Sequence, residues 1–187
     1  LSPDGTALYN SAPILIIRKG NDLQGDFTRI AAIKGLQSSS EITIDYLVNG
    51  EKDTFGNNCQ TFPEDARTAF LFAANTWEPQ IHSTIPITIL ACWSDSPSMD
   101  VLGVGGGQPL WSDSDFPKSG TWYVAAVANA IKEEDLNTDK YDMHITFNNK
   151  QTWYTSLDGL TPTTEFDFIT VAMHEIGHGL GFTGSAT

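Results

Sequence analysis

Two histidines and a glutamate near the end of the sequence have the spacing of a metal site. His174, Glu175 and His178 form the pattern H-E-x-x-H. On a helix, residues four apart lie on one face, so both imidazoles can bind one metal ion. Glu175 would lie beside that ion, where its carboxylate can accept a proton from a metal-bound water. We therefore predict His174 and His178 as zinc ligands and Glu175 as the general base; the alternative is a buried helix with two incidental histidines.

The residues around this motif predict the helix that it needs. Residues 161–164 contain hydroxyl side chains that can cap a helix and a proline that suits its first turn. Glu165 and Asp167 would face the positive end of the helix dipole. Apolar residues recur at roughly helical spacing over residues 168–176. Gly181 is predicted to end the helix, because glycine adopts the left-handed conformation without penalty.

The segment H-E-I-G-H-G-L-G-F, residues 174–182, resembles the active-site helix of the metzincin metallopeptidases, whose pattern is H-E-x-x-H-x-x-G-x-x-H. The resemblance implies that His174 and His178 bind zinc and that Glu175 is the general base. It also implies that Gly181 turns the chain beneath the metal.

The sequence does not identify the third metal ligand. In the common metzincin pattern a third histidine would occupy position 184, where this chain has Gly184. In leishmanolysin-like members an inserted segment precedes that histidine, and this sequence is similar to that arrangement. A catalytic zinc usually has three protein ligands and one open position. We expect the third ligand beyond Thr187, in a C-terminal continuation, or in a second chain. The alternatives are an upstream ligand, with His82 and His144 as the histidine candidates, and a degenerate, inactive site.

The preceding part of the chain resembles the metzincin layout. The spacing of apolar residues predicts a helix over 62–80, a buried strand over 85–93 and a half-buried strand over 141–148. The resemblance implies an α+β, zincin-like catalytic domain with a twisted mixed β-sheet, a long N-terminal helix and an active-site helix. It implies a zinc endopeptidase acting on proteins or peptides, with an edge strand around residues 153–157 that pairs with the substrate backbone. The alternative is an inactive zincin-like binding domain or fragment.

The chain is predicted to have two parts. Residues 1–58 are read as a β-rich N-terminal segment or subdomain, with strands over 13–18, 27–33 and 42–48. Residues 59–187 are read as the zincin-like domain, whose C-terminal part we expect to lie beyond this sequence.

Composition indicates a globular protein and limits its partners. The 187 residues are 40% hydrophobic and include ten phenylalanines, which suits a domain with a sizeable core rather than a disordered chain. The net charge of -13 disfavours both nucleic acid and an anionic membrane surface as partners. No apolar run approaches the length of a membrane span. We predict a secreted protein, for which this acidity provides solubility.

Cys59 and Cys92 are predicted to form one disulfide, which a secreted protein permits. The alternatives are two free buried thiols, or an inhibitory zinc ligand at Cys59 of the kind that some metzincin proenzymes use.

Three other segments carry weaker signals. Residues 135–142 space oxygen ligands like a calcium loop but lack the glycine and the closing glutamate of an EF-hand, so a solvated acidic turn is predicted and Ca²⁺ is the alternative. The glycine-rich residues 101–107 lack a complete phosphate-binding motif and are predicted to form a mobile surface loop. Residues 122–131 suit either a strand or a short helix.

Overall fold

The computed structural model describes residues 40–98 and 100–183, which form three α-helices and eight β-strands. In chain order the elements are β1 Ile42–Tyr46, α1 Glu64–Trp77, β2 Ile87–Ser94, β3 Gly103–Gly107, β4 Leu110–Trp111, β5 Tyr123–Val124, α2 Ala125–Lys132, β6 Met143–Asn148, β7 Trp153–Tyr154, β8 Phe166–Asp167 and α3 Phe168–Gly179. The fold is α+β, as predicted. The strands predicted over 13–18 and 27–33 lie outside the described residues. Within the described ranges, no helix has the length and hydropathy needed to cross a membrane.

Four strands form one mixed sheet in the order β1-β2-β6-β3. Strands β1, β2 and β6 run parallel, with Ile42 opposite Ile87 and Ile89 opposite Met143. Strand β3 is antiparallel to β6 and forms one edge of the sheet. The region around residues 153–157, predicted as an edge strand, contributes β7, which pairs with β8 in a separate two-stranded sheet. Each strand of such a sheet has one edge within the described residues, and pairing of β7 with a substrate backbone stays a prediction.

Helices α1 and α3 pack on the same face of this sheet. Phe147 of β6 lies 5.2 Å from Phe70 of α1 and 4.7 Å from Phe168 of α3, measured between ring centroids. Because alternate residues of a strand point to opposite faces, Met143 and Ile145 share this face with Phe147. All five side chains are fully buried. The core therefore lies between the sheet and the two helices, one of which carries the candidate metal ligands.

Helix α1 approaches its neighbours closely because most of its buried residues are alanines. These buried residues recur at helical spacing and are Ala66, Ala69, Phe70, Ala73, Ala74 and Thr76. At the end of α1, Trp77 Nε1 donates a 3.0 Å hydrogen bond to the carbonyl oxygen of Met173 in α3. The helix predicted over 62–80 is confirmed as α1 and the short 3₁₀ helix Glu78–Gln80 that follows it.

The glycine-rich segment 101–107 contains strand β3, and the prediction of a mobile loop was wrong. Four of the five residues of β3 are glycines, which have low strand propensity and no apolar pattern. The reason for the strand lies in tertiary packing. A Cβ atom at Gly107 would lie 2.5 Å from the carbonyl oxygen of Gly179 and 2.6 Å from Cβ of Val124. Glycine therefore allows β3 to lie directly against the end of α3.

Residues 47–60 are attached to the other face of the sheet. A disulfide joins Cys59 to Cys92 of β2, as predicted, so Cys59 has no free thiolate for a metal. Asp53 Oδ2 accepts a 2.8 Å hydrogen bond from the hydroxyl of Thr146 in β6. Strand β1 also precedes the boundary predicted after residue 58, and it pairs with β2. One sheet therefore joins residues from both sides of that boundary.

Residues 122–131, which suited either a strand or a helix, contribute to both. Strand β5 pairs with β4, and α2 follows it directly. Val124 of β5 approaches the positions where Cβ atoms would stand at Gly107 and Gly181. This small sheet and α2 therefore lie beside the end of α3.

Candidate metal centre

Helix α3 begins at Phe168, after the start predicted at residues 161–164. Its N-cap is Asp167, whose Oδ1 accepts a 2.6 Å hydrogen bond from the amide of Thr170. The other carboxylate oxygen accepts a 2.7 Å bond from the hydroxyl of Thr161. Strand β8 pairs with β7 immediately before the helix, which holds the preceding residues in an extended conformation. The predicted hydroxyl cap was wrong, because the carboxylate of Asp167 caps the first turn instead.

The end of α3 is formed by a glycine turn, as predicted. Gly181 has φ 93°, in the left-handed region. Its amide donates to the carbonyl of His178, and the amide of Phe182 donates to the carbonyl of Gly177, both at 3.0 Å. These are the two bonds of a Schellman motif. The ring of Phe182 also stacks on Trp77 of α1 at 5.8 Å. The chain is therefore fixed directly after the second histidine.

His174 and His178 have adjacent imidazoles on successive turns of α3. Their ring centroids are 4.3 Å apart and their planes are inclined at 80°. The Nδ1 atom of His178 lies 2.8 Å from the carbonyl oxygen of Phe182. Because a carbonyl only accepts, Nδ1 must carry the hydrogen, and in the neutral ring Nε2 keeps a lone pair. Burial, and secondarily the neighbouring His178, lowers the pKa of His174, which favours the neutral form that binds metals.

Glu175 is buried beside these histidines. Its side chain is 5% exposed, and burial raises its pKa from 4.5 to about 7. A hydrogen bond from the backbone amide of Gly105 in β3 acts in the opposite direction and lowers this pKa. A carboxyl group with a pKa near neutrality can both accept and release a proton at neutral pH.

Gly103 and Gly105 of β3 form the wall against which Glu175 packs. A Cβ atom at Gly103 would lie 3.2 Å from Glu175 Cγ, and one at Gly105 would lie 2.9 Å from Glu175 Oε2. Neither glycine was predicted from the sequence to be part of the site. The available signal was glycine at every second position from 103 to 107, which a strand places on one face.

The two histidines fit a zinc ion as two of its ligands. Two imidazoles one helical turn apart, one of them oriented by a backbone carbonyl, provide the nitrogen donors that zinc prefers. Glu175 lies between them in sequence, but its side chain is held against β3. The arrangement can therefore bind a cation through two nitrogens while a separate carboxyl group exchanges protons.

The structure does not complete the ligand set. Across residues 40–98 and 100–183, no three or more His, Cys, Asp or Glu side chains are grouped in a way that could hold a metal ion. Gly184, which takes the place of the third metzincin histidine, lies outside the described residues. The identity of the third ligand therefore stays open.

The two upstream histidines do not lie with the candidate ligands. Met143 of β6 packs directly against Gly179 of α3. Because side chains alternate along a strand, His144 points to the opposite face of the sheet, as does Thr146, which bonds to Asp53. His82 is exposed in the segment before β2. An upstream ligand at His144 is therefore incompatible with this sheet.

Residues 135–142, considered as a calcium loop, form a hydrogen-bonded turn. Asp142 Oδ1 accepts bonds from the side-chain amides of Asn129 at 2.9 Å and Asn137 at 3.3 Å. Its Oδ2 accepts a 2.8 Å bond from the amide of Thr88. Both oxygens already have N–H partners, and Asp142 and Asn137 are buried, so this part of the turn is not solvated as predicted; calcium binding stays an untested alternative.

Comparison with known proteins gives one partial match. A family model described as SPBPB7E8-like matches residues 129–187, which is less than a third of the chain and includes all of α3. No curated protein and no solved structure matches this chain.

Proposed function

We propose that this protein is a zinc-dependent endopeptidase with a metzincin-like catalytic domain of the leishmanolysin-like type. The observation that carries the proposal is the helix α3 with its H-E-x-x-H motif. It combines adjacent imidazoles at His174 and His178 with a buried carboxyl group at Glu175 whose pKa is about 7. The order of elements also supports the proposal. Helix α1 precedes strand β2 of the mixed sheet, and the motif helix α3 follows all of the strands, as the metzincin resemblance implies.

His174 and His178 would hold the metal, the latter through Nε2 because Nδ1 is bonded to the chain. When bound, zinc supplies a Lewis acid that polarises the scissile carbonyl and makes a coordinated water more acidic. A catalytic site of this type needs a third protein ligand. We propose that this ligand comes from a part of the protein outside the described residues or from a second chain.

Glu175 acts as the general base and then as the general acid. It accepts a proton from the attacking water and transfers that proton to the nitrogen of the leaving amine. Burial raises the pKa of this carboxyl group in the metal-free chain, whereas the positive charge of a bound zinc would act in the opposite direction. The amide of Gly105 holds the carboxyl group beside β3 during these steps. Both histidines must be neutral to bind a metal, so activity should fall in acid.

The second candidate is a non-catalytic zincin-like domain that binds a metal or a protein without cleaving it. The observation that favours it is Gly184, which stands where the common metzincin pattern has its third histidine. The first candidate requires a protein or peptide substrate, and the second allows a protein partner that is not cleaved. Both also fit a secreted protein, in which the disulfide between Cys59 and Cys92 would persist.

The decisive experiment compares the wild-type protein with the Glu175→Gln variant. We expect one zinc per chain by elemental analysis in both proteins and cleavage of casein by the wild type. The variant should lose about 100-fold to 10,000-fold in turnover, because glutamine keeps the shape but cannot accept the proton. In a protein that extends past Thr187, zinc without cleavage in the wild type would favour the binding domain, and near-normal turnover in the variant would refute the role of Glu175.

A second pair of variants tests the metal ligands. His178→Ala should weaken zinc binding by about 100-fold or more, since it removes a ligand that the backbone orients. His144→Ala is the matched control, because that histidine lies on the other face of the sheet and should leave zinc affinity unchanged. Equal zinc affinity in both variants, measured by competition with a chromogenic chelator, would exclude the predicted centre.

A further inference from the structure

The contact between β3 and Glu175 is made without any intervening side chain. The three atoms nearest to a Cβ atom at Gly103 would all belong to the Glu175 side chain, at 3.2 Å for Cγ, 3.3 Å for Oε1 and 3.4 Å for Cδ. At Gly105 a Cβ atom would lie 2.9 Å from Cβ, from Oε2 and from the backbone oxygen of Glu175. Carbon atoms in favourable contact lie about 3.5 to 4.0 Å apart. Any larger residue at these positions would therefore displace the carboxyl group, the strand or the helix.

Only one face of β3 makes this close contact with α3. Gly103, Gly105 and Gly107 alternate with Val104 and Gly106, so the two sets point in opposite directions. At Gly106 a Cβ atom would meet no atom of the described residues within 4 Å. The glycines that touch Glu175 are therefore sterically required, whereas Gly106 has open space.

We propose that Gly103 and Gly105 are positioning residues for Glu175, because they let the backbone of β3 form a rigid wall that fixes the carboxyl group. Glutamate has three rotatable side-chain bonds, and a backbone wall on one side restricts them more firmly than a mobile side chain would. The catalytic meaning of this role rests on the proposed function. The contact itself does not, and it can be measured separately.

Gly103→Ala is the informative variant. Alanine at 105 would also press on the backbone of α3 and endanger folding, whereas the atoms nearest to an alanine Cβ at 103 all belong to the side chain of Glu175. We expect Gly103→Ala to lower the Tm of the zinc-loaded protein by about 3 °C. In a Glu175→Ala background this decrease should disappear, because the atoms that alanine would meet are gone. Gly106→Ala is the matched control, and its effect on Tm should be the same in both backgrounds.

Kinetics then separates positioning from simple packing. A displacement of the general base by a few tenths of an ångström should lower kcat by about tenfold with little change in KM or zinc content. If Gly103→Ala lowers Tm equally in the wild-type and Glu175→Ala backgrounds, the inference is overturned, whatever the enzymatic activity of the variants. An unchanged kcat in an active Gly103→Ala enzyme would also overturn it. If the Tm effects are coupled but no variant cleaves peptides, the positioning contact stands and the proposed peptidase function fails.

Discussion

The metal-free wild-type protein should lose unfolding free energy as the pH rises, and replacing Glu175 by glutamine should abolish this loss. Burial raises the pKa of Glu175 from 4.5 to about 7, and its side chain is 5% exposed. An acid whose pKa is raised on folding favours the folded state only while it is protonated. This contribution is fully present below about pH 4.5 and is lost as the pH rises through about 7.

The size of the effect follows from these two pKa values. They are about 2.5 pH units apart, and each unit corresponds to about 1.4 kcal/mol. The wild type should therefore lose about 3 kcal/mol of unfolding free energy, relative to Glu175→Gln, between pH 4.5 and pH 8. Glutamine is the right comparison because it has a similar shape and its carbonyl oxygen can still accept from the amide of Gly105.

The measurement is urea denaturation of both proteins in the presence of a chelator, followed by tryptophan fluorescence across this pH range. Other titratable groups, such as His174, whose pKa is lowered by burial, are present in both proteins, so their contributions to the unfolding free energy largely cancel when the two proteins are compared. If the difference in unfolding free energy between the two proteins does not change with pH, Glu175 has the same pKa in the folded and the unfolded chain. That result would refute the argument from burial.

Three further predictions concern the elements that hold the site. Asp167→Ala should lower the unfolding free energy by about 1 kcal/mol in urea denaturation, because α3 loses its N-cap; no change would mean that strand pairing alone starts the helix. Gly181→Ala should destabilise the protein by about 1 kcal/mol, since φ is 93° there. It should also weaken zinc binding about tenfold by disturbing the bond that orients His178, and unchanged affinity in a zinc titration would contradict that orienting role. Asp142→Asn should destabilise by about 2 kcal/mol, because an amide nitrogen must then face N–H donors; a stability equal to that of the wild type would mean that this network rearranges freely.

The parts of the fold that follow a simple apolar pattern were predictable from the sequence. Strands β2 and β6 and helix α1 occur where their apolar residues predict them, although both strands are also buried on their second face over their last four residues. The adjacency of the His174 and His178 imidazoles was predictable for the same reason, because residues four apart on a helix share a face. Local periodicity therefore located the imidazole pair without any tertiary information.

The predictions that failed depended on contacts between distant segments. Strand β3 has no apolar pattern, and its glycines are explained only by the approach of α3. The start of α3 was misplaced because strand β8 and the carboxylate of Asp167 together decide where the helix begins. The sequence offered several good capping residues before position 168, and only the tertiary pairing selects among them.

The contact between α3 and β3 combines two features that disfavour folding. Glycine in a strand is less favourable than alanine by about 0.5 to 1 kcal/mol, and four of the five residues of β3 are glycines. A buried carboxyl group at Glu175 adds a further penalty above its pKa. Packing alone would be better satisfied by an apolar residue at 175 and β-branched residues at 103 and 105. Both unfavourable features occur where the H-E-x-x-H motif requires a carboxyl group, and perturbed titratable groups cluster at functional sites. The energetics of this contact therefore support the candidate site on grounds that do not depend on resemblance to any family.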